Sequence, residues 1–119
     1  MPPEPRDASF LWDMIVSARG IVATLAKVTY QEYQKEENLR LVIERRIEIL
    51  GEAARRLSPA FQNVHPEIPW KHLIAQRNVL AHEYDEIDDE RIWQLAVKSI
   101  PLLLAQLELL VLPPPPPPP

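Results

Sequence analysis

The chain contains no cysteine, which excludes disulfides and thiolate-held metals and fits a reducing compartment. Any metal would have to rest on the three histidines. An excess of positive charge is missing too. The formal net charge of -4 argues against a broad, non-specific nucleic-acid binder, so contact with a polyanion has to be local. No stretch reaches the roughly 18 uninterrupted apolar residues of a membrane span, since Ile100 to Leu112 is broken by Pro101, Gln106 and Glu108. The opening MPPEPRD lacks the basic and apolar regions of a signal peptide, so a cytoplasmic location without membrane attachment is expected.

The 119 residues, 46% hydrophobic and 25% charged, are enough for one small domain. A domain of this size buries only about two-thirds of its unfolded surface, so an oligomeric interface is a natural further source of stability. Residues 1–6, with three prolines, are expected to form a disordered lead, residues 7–112 a helical domain, and residues 113–119 a polyproline tail. A first helix, capped by Asp7 or Ser9 and running to about Thr29, buries Leu11, Ile15, Val22 and Leu25. Gly20 in its middle implies close packing or a local break. Leu39, Ile43, Ile47, Leu50, Ala54 and Leu57 set the stripe of a second helix, which ends at Ser58-Pro59.

Pro69 suits the first position of a third helix, which carries Leu73, Ile74, Arg77, Leu80 and His82. After an acidic turn from Asp85 to Glu90, a last helix buries Ile92, Ala96, Ile100, Leu103, Leu107 and Leu110, and Pro101 should kink it. The expected architecture is therefore all-α, an up-and-down bundle of four main helices with one bent. Seven consecutive prolines form an extended rod of about 22 Å at 3.1 Å per residue. It is either a ligand for an aromatic groove or a solvated tail.

Arg77 to Tyr84, RNVLAHEY, places an arginine, an amide, an imidazole and a phenol within two helical turns. Arginine offers a permanently positive planar fork that matches phosphate. Histidine, with an ordinary pKa of about 6.5, can both take and give protons near neutrality. Together they suit phosphodiester cleavage without a metal. The same residues also fit a surface ion pair at Arg77, a helix end at His82 and a packed ring at Tyr84. Asn78 either orients the imidazole, binds phosphate or is an ordinary helix amide.

At about 100° per residue, Asn78 and His82 lie about 40° apart, Arg77 and Tyr84 about 20° apart, and the two pairs diverge by about 120°. A straight helix cannot aim Arg77 and His82 at one phosphate. Either the helix breaks near His82 or a second copy completes the site. His65 and His72 flank a proline turn and suit turn and surface roles rather than a metal pair. Arg45, Arg46, Arg55, Arg56 and Lys71 could contact an RNA backbone, but Glu44, Glu48 and Glu52 among them favour a solvated face with pairs such as Glu52 to Arg56.

Arg77-Asn78, three residues, then His82-x-Tyr84 resembles the R-N-x3-H-x-Y signature of the HEPN superfamily and specifically of its HepT-like toxin ribonucleases. The likeness extends to IERRIEILGEAARRLSP (Ile43 to Pro59), to His65-Pro-Glu-Ile-Pro-Trp70 and to Ile87 to Leu104, in the family's order, and covers about Phe10 to Leu110. It implies a cofactor-free RNA endonuclease toxin that forms a homodimer with the motifs facing a shared cleft. His82 would be general acid or base, Arg77 the phosphate clamp with Asn78 beside it, and the product end a cyclic phosphate. It further implies a minimal nucleotidyltransferase as antitoxin, which would attach AMP to Tyr84. A non-catalytic module that binds a nucleotide or such a nucleotidyltransferase is the alternative of a different class.

Overall fold

A computed structural model describes residues 4–82 and 87–110. The described residues fold into seven α-helices and one π turn, with no strand among them. Helix α1 spans Pro5–Leu25 and starts before both residues expected to cap it, with Pro5 in its first turn, where a missing N–H is no loss. Helix thus replaces the last two residues of the expected disordered lead. Asp7 does other work. Its buried carboxylate accepts the Ser58 amide at 2.9 Å and the Ser58 hydroxyl at 2.7 Å, tying the start of α1 to a turn 51 residues away.

The apolar stripe of α1, Leu11, Met14, Ile15, Ala18, Ile21 and Leu25, is buried, while Val22 is only partly so. The helix ends at Leu25 rather than near Thr29, because Thr29 begins another helix. Its hydroxyl accepts the Glu32 amide at 3.1 Å and the Glu32 carboxylate accepts the Thr29 amide at 3.2 Å. This reciprocal cap starts the short α2, Tyr30–Lys35, whose Tyr33 is fully buried with its ring centroid 5.3 Å from that of Trp93.

Helix α3, Glu37–Arg56, is the middle of the bundle and packs against α1 on one side and α5 on the other. Ile43, Ile47, Leu50 and Ala54 of its expected stripe, with Leu57 just past its end, are buried, and Leu39 is partly so. Ser58-Pro59 does not simply end this helix. It caps and opens α4, Pro59–Val64, where the Ser58 hydroxyl accepts the Phe61 amide at 3.2 Å. Helix α5, Trp70–His82, follows the proline turn, and Pro69 contributes the carbonyl that accepts the Leu73 amide.

The last rod is α6, Asp89–Gln94, then a π turn, Leu95–Ser99, then α7, Ile100–Leu110. Asp88 caps α6 by accepting the amides of Glu90 and Arg91. Proline inside a helix has no N–H to give and crowds the carbonyl four residues back. The chain meets Pro101 with a widened turn just ahead of it, in which the Ile100 amide reaches back to the Leu95 carbonyl. Ile92, Ala96, Ile100, Leu103 and Leu107 are buried and Leu110 is half-buried.

The result is an up-and-down bundle of four main helices, α1, α3, α5 and the α6–α7 rod, with α2 and α4 as short connectors. At Gly20 the helix runs unbroken, and the space a side chain would need is taken by the Arg46 guanidinium of α3. Pro5–Leu25 and Asp89–Leu110 are each long and apolar enough to cross a bilayer. Here each lays its apolar stripe on the other helices. Glu83 to Glu86 and the polyproline tail lie outside the described residues.

Candidate active site

Helix α5 buries Trp70, Leu73, Gln76 and Leu80. Its start is anchored by the Trp70 indole, which donates to the His65 carbonyl at 2.9 Å, with Phe61 packed against both rings. His65 therefore belongs to the turn, half-buried and 3.3 Å from Glu67, and His72 is exposed on the helix surface. Among the described residues no three of His, Asp and Glu converge on a point that could hold a metal ion.

The middle of α5 comes very close to α3. Gly51 is the reason: a side chain there would collide with Cβ of Arg77 and stand 2.7 Å from the Leu73 carbonyl oxygen. Arg77 is thus pressed against α3 at its base. Its guanidinium is partly buried and lies 3.1 Å, through Nε, from Oε2 of Glu52, while Nη1 donates to Oδ1 of Asn78 at 3.0 Å. The Nε contact is an ion pair rather than an in-line hydrogen bond, because the Nε–H has no acceptor along its axis among the described residues.

Glu52 collects more than Arg77. Its carboxylate also accepts Nη2 of Arg55 at 2.6 Å and Nε of Arg56 at 3.0 Å. Hydrogen bonds from Arg55 and then Arg56, with the charges of Arg55 and Arg77 adding to them, hold this carboxyl down to about 2. Three guanidiniums around one carboxylate leave a local charge of +2 in a chain whose net charge is -4. The expected Glu52 to Arg56 pair is present, but as part of this cluster rather than as an isolated surface contact.

An open cleft of about 420 Å³ lies beside the cluster, between α1 and α3. Phe10 and Asp13 of α1 line it, with Arg45, Glu48, Glu52 and Arg56 of α3 and Arg77 of α5. A second, smaller hollow of about 220 Å³ sits where Arg40 and Glu44 of α3 meet Ile87 and Asp89. There burial, and then the neighbouring Asp89 charge, push the Glu44 carboxyl up.

The motif residues are therefore separated into two groups. Arg77 and Asn78 touch each other, and Arg77 faces α3 and the cleft. His82 is exposed at the far end of α5 and does not line the cleft. Tyr84 lies outside the described residues. Helix α5 runs through both residues, and five residues at about 100° each set Arg77 and His82 about 140° apart around it. Glu52 and Gly51 were not singled out from the sequence as site residues. Their only sequence signals are a glycine in a helix interior and a glutamate flanked by arginines.

A family model described as ribonuclease HepT-like matches residues 14–110. A Methanocaldococcus jannaschii protein named as a candidate RNase is 30% identical over 85% of this chain and 93% of its own length. A second from the same organism, similarly named, is 28% identical over 89% of the chain and 88% of its own length. A Thermococcus cleftensis protein named probable ribonuclease HepT is 27% identical over 83% of the chain and 90% of its own length. No solved structure matches.

Proposed function

The chain belongs to the HepT-like ribonuclease family, and on that premise we propose that it is a metal-independent RNA endonuclease whose chemistry is carried by Arg77 and His82. The observation that carries this reading is the contrast between the two residues. Arg77 is half-buried and braced by Glu52 and Asn78, as a phosphate clamp needs to be, and His82 is exposed where a proton can be exchanged. His82 would take the proton of a ribose 2′-hydroxyl, which attacks the adjacent phosphorus, or would give a proton to the departing 5′-oxygen. Either role is worth about 10² to 10⁴ in rate. The P–O5′ bond breaks and a 2′,3′-cyclic phosphate is left. Arg77 would meet the charge that builds on the non-bridging oxygens.

Because Arg77 and His82 point apart on one helix, the reading includes a homodimer in which a second copy completes each site. Leu102 and Leu109, seven residues apart on one face of α7, are 71% and 86% exposed and offer apolar surface for association. It also includes a nucleotidyltransferase antitoxin and AMP transfer to Tyr84, which would place an anion where RNA phosphate binds. Single-stranded or looped RNA is the expected substrate and the cytoplasm the expected place.

The test is cleavage of single-stranded RNA in the presence of a chelator. His82→Ala and Arg77→Ala should each raise the barrier by roughly 3 to 5 kcal/mol while keeping helical content. A His82→Ala protein that cleaves as fast as the parent sinks the assignment. Sedimentation showing only a 13.7 kDa species removes the dimer. Tyr84→Phe should retain cleavage and gain no AMP mass when incubated with the nucleotidyltransferase and ATP.

A further inference from the structure

We propose that Glu52 is the positioning residue of the site, aiming the guanidinium of Arg77 at the scissile phosphate; the proposal rests on the ribonuclease reading above. An arginine has five N–H donors, and a phosphate is best met by two of them in parallel. Glu52 lies against Nε, and Asn78 takes one N–H of Nη1. Both protons of Nη2 and the second of Nη1 have no partner among the described residues, so the outer fork is available for a substrate oxygen.

The brace is rigid for reasons visible on both sides of it. Glu52 follows Gly51, where α3 has no room for a side chain against α5, so the carboxylate is delivered beside the backbone that carries Arg77. Its two oxygens are held by Arg55 and Arg56 from the next turn of its own helix. A long, flexible arginine chain is thereby restrained at its base by packing, at Nε by charge and at Nη1 by a hydrogen bond. Misplacement of a catalytic group by about 1 Å can lower a rate about 10²-fold, which is what such a brace prevents.

A carboxylate near a phosphate site could instead compete with the substrate. Two features argue for positioning. The contact is to Nε and not to the outer fork, and the cluster keeps a charge of +2 with Glu52 included. The two roles give opposite kinetics. Glu52→Gln removes a negative charge from a surface that meets a polyanion, so RNA should bind as well or better. If Glu52 positions Arg77, kcat should nevertheless fall about 10- to 100-fold with KM unchanged or lower. Glu52→Asp, which keeps the charge on a shorter stem, should recover part of kcat.

A kcat within about twofold of the parent, or one that rises, overturns the proposal, as does a loss of kcat explained by a matching loss of folded protein. A second measurement does not depend on catalysis. The Nε–H of Arg77 is buried, so it should give a resolved, slowly exchanging nitrogen-correlated proton signal, identified by its absence in Arg77→Lys. That signal should move or vanish in Glu52→Gln; an unchanged signal overturns the proposal. Failure of the parent to cleave any RNA would remove the ribonuclease reading, and the Arg77 signal would still decide whether Glu52 holds it.

Discussion

Alanine at Gly51 should destabilise the protein even though alanine is the better helix former. In a helix interior the exchange is worth about 1 kcal/mol in favour of alanine. At Gly51 the new methyl would overlap Cβ of Arg77 and sit 2.7 Å from the Leu73 carbonyl oxygen. Both atoms belong to the frame of α5 and cannot swing aside, so α3 and α5 must separate along their contact. Overpacking of this kind costs about 1 to 3 kcal/mol. The net should be a loss of up to about 2 kcal/mol, or up to roughly 12 °C in melting temperature for a chain of this length.

Gly20 supplies the control, because the atoms a methyl would meet there are the guanidinium end of Arg46, which can move. Gly20→Ala should be neutral or more stable by up to about 1 kcal/mol. Urea titration followed by far-UV circular dichroism measures both. A Gly51→Ala protein more stable than the parent, as an uncrowded helix position would make it, or a Gly20→Ala protein equally damaged, refutes the close-approach argument.

Asp7→Ala leaves the Ser58 amide and hydroxyl without their acceptor and should lower stability by about 1 to 3 kcal/mol in thermal unfolding; an unchanged melting temperature means the tie is idle. Glu44 is pushed up by burial and then by Asp89, so the folded state holds its proton more tightly than the unfolded chain does, and stability from this group grows as pH falls. Glu44→Gln should therefore melt higher than the parent at pH 7, with the gain shrinking on acidification; a lower melting temperature at pH 7 contradicts this. Glu52 is shifted the other way. Its contribution is full above its ordinary value of 4.5 and fades as pH drops toward about 2, so the stability gap between parent and Glu52→Gln should narrow across that window, and a constant gap excludes the charge as its cause.

Helical periodicity made the main elements legible, because burial on one face leaves a mark every three or four residues. Ile43, Ile47, Leu50 and Ala54 in α3, and Ile92, Ala96, Ile100, Leu103 and Leu107 in the last rod, are buried as their spacing indicates. What local spacing conceals is short or long-range. Thr29 and Glu32 carry a capping-box pattern, but a six-residue helix has too few turns to show a stripe. Ser58-Pro59 reads equally as the end of one helix and the cap of the next, and the structure uses it as both.

The motif of Arg77, Asn78 and His82 was visible because it sits within one helix. The part played by Glu52 was not, since its arginines at 55 and 56 give it the look of an ordinary solvated pair. Only the close approach at Gly51 brings Arg77 to it. Asp7 is concealed in the same way, looking like a cap for its own helix while bonding to Ser58.

The π turn at Leu95–Ser99 makes the last rod one residue longer in sequence than in rotation. From Ile92 to Ile100, eight residues of regular α-helix would overshoot two full turns by about 80°. A π turn absorbs one residue without adding its rotation, which takes back about 100° and returns Ile100 to the buried side with Ile92. In terms of descent, the turn behaves as a one-residue insertion whose penalty Pro101 has already removed, since no amide at that position waits for a partner. Deleting a single residue from this turn should close it to plain α-helix and leave Leu103 and Leu107 on the core, just as a relative that builds the same rod as plain α-helix should align to this one across a one-residue gap.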